Sequence, residues 1–289
     1  MILPDVVLPS RVNQCWTNTG MDSLETCLDP DHFRSYKHEV LYQYNSRGFR
    51  DDEWPTDTHE LARAIWCVGD SFTVGVGSPR HHTWPWVLQL DTGVKTINVS
   101  MDGASNNWIA RQAVQILEHV RPEKMVVHWS YLHRREGFSE VSDQAKVRFL
   151  LHYQQVRSPD WPDLIDVKQF CLLPAPIQQE LLTQHDQSWR QGIHDEQLRL
   201  WHIGSDLKQD IDNTLECVAM VENCAGSARI VHSFIPAFAI GHEQDFYNRL
   251  RTTQAAISHF QPRDLARDGH HYDIKTCRYF VDQILPYLK

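Results

Sequence analysis

The sequence predicts an α/β fold, a parallel sheet of about five strands flanked by helices, from three observations. Short apolar runs at 64–68, 94–99, 125–130 and 229–235 alternate with longer stretches whose apolar positions recur every three and four residues. The first two runs end in glycine-containing polar turns, Gly69-Asp70-Ser71 and Asp102-Gly103-Ala104-Ser105. In an open parallel sheet the carboxyl ends of the strands are where ligands and reactive groups gather. Finally, 289 residues with 42% hydrophobic content suffice for one α/β domain carrying an insertion.

Each element has its own signal. Residues 1–40 are rich in turn formers and show no clear period, so they read as an arm packed on a single domain at 41–289. Residues 41–50 read as an extended piece closed by the Ser46-Arg47-Gly48 turn, a surface hairpin covering the sheet edge. The run 64–68 is a strand too short for an ordinary helix, and Gly69 breaks it before the polar turn Asp70-Ser71-Phe72-Thr73. Val74-Gly75-Val76-Gly77 lacks both the third glycine and the Gly-Lys-Ser/Thr of nucleotide loops, so no nucleotide cofactor is expected. The adjacent His81 and His82 have no third ligand at helical spacing and read as a solvated pair rather than a metal site.

Thr83 as cap and Pro85 in the first turn open a helix that runs through Leu90. After the strand at 94–99, Asn106 starts a helix with Ile109, Ala113, Ile116, Leu117 and Val120 on one stripe, ended by Pro122. The strand 125–130 follows. Residues from about 137 to 205, punctuated by Pro and Trp, read as a helical insertion over the carboxyl edge of the sheet. A helix at 206–223 carries Leu207, Ile211, Leu215, Val218 and Val221 on one face and stops at Gly226. His232, inside the strand 229–235, reads as a hydrogen-bonded core residue. A short strand near 257–260 and a final helix at 272–288 complete the chain.

Composition excludes several classes. A formal charge of −9 with no basic face argues against nucleic acid as a partner. Seven cysteines, an odd number without Cys-x-x-Cys spacing, suggest reduced thiols. No stretch approaches the length of a membrane span, and the first residues lack the pattern of a signal peptide. A cytoplasmic or virion-associated protein is expected, with oligomer or virion assembly compatible with the composition. No metal or other cofactor is expected.

The chemistry is concentrated at two places. Ser71 follows the first strand, and Asp268-Gly269-His270-His271 precedes the final helix. A serine hydroxyl becomes nucleophilic when a base takes its proton and a third group orients that base. Ser71, His271 and Asp268 supply those parts, with the adjacent His270 a rival base.

Gly69-Asp70-Ser71, Gly103 within Asn98-Val99-Ser100-Met101-Asp102-Gly103-Ala104-Ser105-Asn106, and Asp268-x-x-His271 resemble the SGNH (GDSL-type) hydrolases over residues 44–289. The segment Asn45-x-x-Gly48-Phe49-Arg50 is similar to one that often precedes the first strand of that family. The resemblance implies a three-layer α/β/α sandwich with a flavodoxin-like sheet. It implies a serine esterase working through an acyl-enzyme, with Ser71, Asp268 and His271 catalytic and the Ser71 and Gly103 amides binding the oxyanion. A small-molecule or glycan ester, such as an O-acetylated carbohydrate, is the expected substrate; Trp84, Trp86, Trp129 and Trp161 favour a sugar, since aromatic faces stack on sugar rings. The third block departs from the family. Where Gly-x-Asn-Asp is usual the chain has Trp129-Ser130-Tyr131-Leu132-His133-Arg134-Arg135-Glu136, which leaves Asn106, Ser130, His133 and Arg135 as substitutes for the third oxyanion donor. That departure also raises the alternative of a structural or glycan-binding protein, for example in a phage assembly, that keeps the hydrolase fold.

Overall fold

The computed structural model describes residues 3, 6–20, 22–27, 29–132, 134, 207–235, 243–257 and 262–289. The expected insertion at 137–205 lies outside them. Contacts group the chain into two compact units, one of Met1–Ser130, Glu216–Pro236 and Arg251–Lys289, the other of Tyr131–Leu215 and Ala237–Leu250.

In the first unit the arm has structure of its own. Strands β1 (Cys15–Trp16) and β2 (Tyr42–Gln43) pair antiparallel in a separate two-stranded sheet, with helix α1 (Pro30–Ser35) between them in sequence. Asp29 caps α1 by accepting the amides of Asp31 and His32. The expected hairpin thus pairs with the arm rather than with itself, and just beyond it Asp51 Oδ2 accepts the Asn98 amide at 3.0 Å on the edge strand of the main sheet. Phe49 and Arg50 are fully buried, and the Arg50 guanidinium donates to four backbone carbonyls, those of Leu41, Val74, Gly75 and Ser78. A guanidinium withdrawn from water needs such acceptors.

After α2 (Thr58–Arg63) comes the main sheet, made of β3 (Ile65–Gly69), β4 (Thr96–Ser100), β5 (Lys124–Trp129), β6 (Arg229–Phe234) and β7 (Ala255–Ile257). All pairings are parallel and the spatial order is β4-β3-β5-β6-β7. This is the doubly wound, flavodoxin-like order, with the chain reversing direction across the sheet between β3 and β5. The fifth strand sits earlier than expected, at Ala255–Ile257, and residues 258–261 lie outside the description.

The dense apolar runs are explained by burial on both faces. Ile65, Cys67, Val126 and Val231 meet Trp84, Val87 and Leu88 of α4 (Trp84–Thr92) and Cys277, Phe280, Val281 and Ile284 of the last helix, α8 (Ile274–Leu288). Strand side chains alternate, so Trp66 and Val68 point the other way. There α5 (Asn106–His119) packs on β3 and β5 through its buried stripe Ile109, Ala113, Ile116 and Leu117. Ser105 caps α5, accepting the Trp108 amide at 3.2 Å. Thr83 stands at the start of α4 but does not cap it through its side chain; its hydroxyl donates to the Arg80 carbonyl at 2.8 Å.

Helix α6 (Leu207–Cys224) begins in the second unit, where α7 (Glu243–Arg249) also lies and Arg249 pairs with Asp212. Among the described residues no helix is long and apolar enough to cross a membrane.

Two histidine expectations have different outcomes. His232 is a buried, hydrogen-bonded core residue, between Trp129 Nε1 at 3.1 Å and Glu222 Oε1 at 3.2 Å. The pair at 81–82 is not solvated as a unit. His82 is buried and its Nδ1 lies 2.6 Å from Asp273 Oδ1, because α8 brings its capping residue over the start of α4. Asp273 also accepts the Tyr36 hydroxyl at 2.6 Å. Among the described residues no group of His, Cys, Asp and Glu is arranged to hold a metal.

Phe280 lies at the centre of the core, 5.2 Å from the Trp84 ring and 5.7 Å from His128. Phe280→Ala should cost about 3–5 kcal/mol in urea unfolding, the range for removing a buried aromatic ring. A loss below about 1 kcal/mol would show that this ring does not hold α8 on the sheet.

Candidate active site

The site begins where β3 ends. The expected polar turn is a one-turn helix, α3 (Ser71–Val74), because Asp70 accepts the Phe72 amide at 3.1 Å and caps it. Gly75, at φ +74°, closes the turn, donating its N–H to the Ser71 carbonyl at 2.9 Å. Ser71 stands in the first turn, where an α-helix supplies no acceptor for the amide. Its side chain is nearly buried.

The partner turn precedes α8. Ala266 N–H donates to the His271 carbonyl at 2.8 Å, and Gly269 adopts φ +72°. Asp268 Oδ1 accepts the amides of both His270 and His271 at 3.0 Å. Its Oδ2 faces His271 Nδ1 in a short contact, and His271 Nε2 lies 2.8 Å from Ser71 Oγ. With the Nδ1 proton directed at Asp268, Nε2 is the acceptor for the serine hydroxyl. His270 does not take that position. Its ring stands edge-on to His271, with centroids 4.9 Å apart, and tilts against Phe72 at 5.7 Å.

Electrostatics follow from burial and pairing. Burial opposes charge on Asp268, but the charge and hydrogen bond of His271 and the backbone N–H of His270 outweigh it and hold the carboxyl at about 2. Burial pushes His271 down. The Asp268 carboxylate and its hydrogen bond, with smaller contributions from Asp102 and Asp70, more than compensate and raise the ring above its ordinary value.

Gly103 lies in the turn after β4 at φ +74°. Nothing lies within 4 Å of where a Cβ would stand, so the backbone conformation rather than space favours glycine there. Met101 N–H, donating to the Gly69 carbonyl at 3.2 Å, ties this turn to the end of β3.

The candidate third donors fall into two groups. His133 and Arg135 lie outside the described residues. Asn106 and Ser130 hold each other, with Asn106 Oδ1 accepting the Ser130 amide at 2.9 Å and Asn106 Nδ2 donating to the Ser130 carbonyl at 3.3 Å. The Ser130 hydroxyl donates to Asp70 Oδ2 at 2.7 Å. Asp70 is thus a buried carboxylate joining the Ser71 helix to the end of β5, a role that sequence reasoning missed. Its signal was local: an aspartate two residues before an amide at a strand-to-helix junction is a capping residue.

No family model matches the chain, and no curated protein matches it. Among solved structures it is similar to the "putative lipolytic protein of G-D-S-L family" from Desulfitobacterium hafniense DCB-2, at 10% identity, covering 78% of this chain and 98% of that one, with a TM-score of 0.38. A likeness of that level carries no argument about chemistry. The fold rests on the strand order, and the site on its own distances.

Removing the Asp268 charge isolates the effect of burial on His271. In Asp268→Asn the His271 ring should titrate below about 6.5, and in the unaltered protein above it, measured by NMR of histidine-labelled protein. Equal titration in the two proteins would mean that Asp268 does not set the state of the ring.

Proposed function

We propose that the protein is a serine esterase, hydrolysing a carboxylic ester through an acyl-enzyme on Ser71. The observation that carries this reading is the 2.8 Å contact from Ser71 Oγ to His271 Nε2, with Asp268 on the other ring nitrogen. His271 takes the hydroxyl proton as Oγ attacks the ester carbonyl, and Asp268 orients the ring and stabilises the imidazolium. The Ser71 and Gly103 amides are the proposed donors to the oxyanion. The tetrahedral intermediate collapses, His271 gives the proton to the departing alcohol, and the acyl group stays on Ser71. Water, deprotonated by His271, then releases the acid.

Tryptophans do not argue for a sugar alcohol here. Trp84 and Trp129 are fully buried, Arg80 stacks over Trp86 at 4.9 Å, and Trp161 lies outside the described residues. The substrate class is therefore left at carboxylic esters. A second reading, a binding protein that keeps this fold without turnover, is favoured by one observation. The Ser130 hydroxyl, where the third donor was sought, is committed to Asp70.

Hydrolysis of p-nitrophenyl acetate separates the two. The esterase reading expects a rate that Ser71→Ala abolishes; equal rates from the two proteins would select the binding protein. The rate should be full where His271 is neutral and fall as pH drops through its raised pKa, so the acid limb should lie above about 6.5. A rate flat from pH 8 to pH 5 would rule out a histidine base.

A further inference from the structure

Ser71 and His271 are 200 residues apart in sequence, so something must hold their two loops in register. The loop after α3 and the segment before α8 touch directly at Gly77 and at Ser78, whose hydroxyl lies 2.9 Å from the Tyr272 carbonyl and 3.2 Å from Asp273 Oδ1. Gly77 carbonyl accepts the Arg267 amide at 2.9 Å, and a Cβ on Gly77 would lie 2.9 Å from Ala266 Cβ and 3.1 Å from the Asp268 nitrogen. Both loops are also gripped by the arm and the β2 segment paired with it. Tyr42 Oη accepts the Gly77 amide at 2.7 Å and donates to Asp22 Oδ2 in a short hydrogen bond. Asp22, fully buried, takes Arg267 in a two-point pairing, Nε to Oδ1 at 2.8 Å and Nη2 to Oδ2 at 2.7 Å. Arg267 also donates to the Thr17 carbonyl at 2.7 Å. A closed circuit therefore runs Gly77–Tyr42–Asp22–Arg267–Gly77, and Arg267 is the neighbour of Asp268.

Other contacts converge on the same place. The Arg50 guanidinium lies 4.3 Å from the Tyr42 ring and ties the loop carbonyls of Val74, Gly75 and Ser78. His32 Nε2 donates to the Ala266 carbonyl at 2.8 Å. Gly20 lies so close to Asp102 that a Cβ would come within 2.5 Å of its carboxylate.

We propose that the arm and the β2 segment paired with it are part of the active-site construction, with Asp22 and Tyr42 acting as positioning residues that lock the Asp268–His271 turn onto the loop following Ser71. Neither touches the reacting atoms. They act through Arg267 and Gly77. The proposal rests on the esterase reading given above.

Tyr42→Phe, Asp22→Ala, Arg267→Ala and the double variant Asp22→Ala/Arg267→Ala test it, using kcat and KM on p-nitrophenyl acetate and the NMR titration of His271. Displacing a catalytic group by about 1 Å is worth up to about a hundredfold in rate, so kcat should fall about ten- to a hundredfold, with KM nearly unchanged. His271 should titrate higher than in the unaltered protein, because Asp268 stays paired with it inside the same turn while the ring loses the Ser71 hydroxyl and part of its burial. The double variant should be no worse than the worse single one, as expected for residues acting as one unit. Should the two alanine variants fail to fold, Tyr42→Phe decides, since it keeps the ring on Arg50 and deletes only the hydroxyl. Variants that lose thermal stability but keep both kcat and the His271 titration would overturn the proposal. An unaltered protein no faster than Ser71→Ala would sink the esterase reading instead, and the His271 titration would still decide whether the arm positions the turn.

Discussion

The approach of Gly77 to the Ala266–Asp268 backbone is the constraint on which the site depends. A serine on a one-turn helix can meet an imidazole from the far end of the chain only if the two loops touch with no side chain between them. Gly77 permits this twice over, by lacking a Cβ and by adopting φ +77°. The sheet order makes the approach available. With β3 between β4 and β5, the Ser71 turn stands beside the carboxyl ends of both, and α8 packs across the same face as α4.

Around that approach the protein buries several charges, each with partners. Asp22 and Arg267 form a two-point ion pair, Arg50 is solvated by carbonyls, Asp70 caps α3 and accepts Ser130, and Asp268 accepts two amides and faces His271. Ion pairs of this kind add little to net stability compared with apolar residues of the same shape, but breaking one by removing a single partner is costly. Their directional bonds fix the geometry of two loops that the hydrophobic core alone leaves free. Packing of Phe280, Trp84 and the β-strands sets where the layers lie, and the polar circuit sets where the loops lie.

Pairing and burial also decide protonation. His271 is as buried as a core residue, and burial alone would lower its affinity for a proton; the Asp268 carboxylate reverses that. His128, equally buried but with no carboxylate among the causes acting on it, is pushed down to about 3. The contrast between two buried histidines follows from a single neighbouring charge.

The sequence by itself determined the α/β class, the strands at 65–69, 96–100, 124–129 and 229–234 to within a few residues, and the two blocks that carry Ser71 and Asp268-x-x-His271. These were legible because strand and helix periods, capping residues and glycine turns are set over a few residues. Tertiary structure alone decided which of His270 and His271 meets Ser71, that Arg50 is buried rather than part of a surface hairpin, that His82 pairs with Asp273, and that Asp22 reaches Arg267. Each of those depends on a partner far away in the chain. Position 82 carries no local mark of an aspartate that arrives with α8, just as Tyr42 carries none of Gly77. Local sequence fixes a residue's own conformation, while its partner and its burial are fixed only when the loops close.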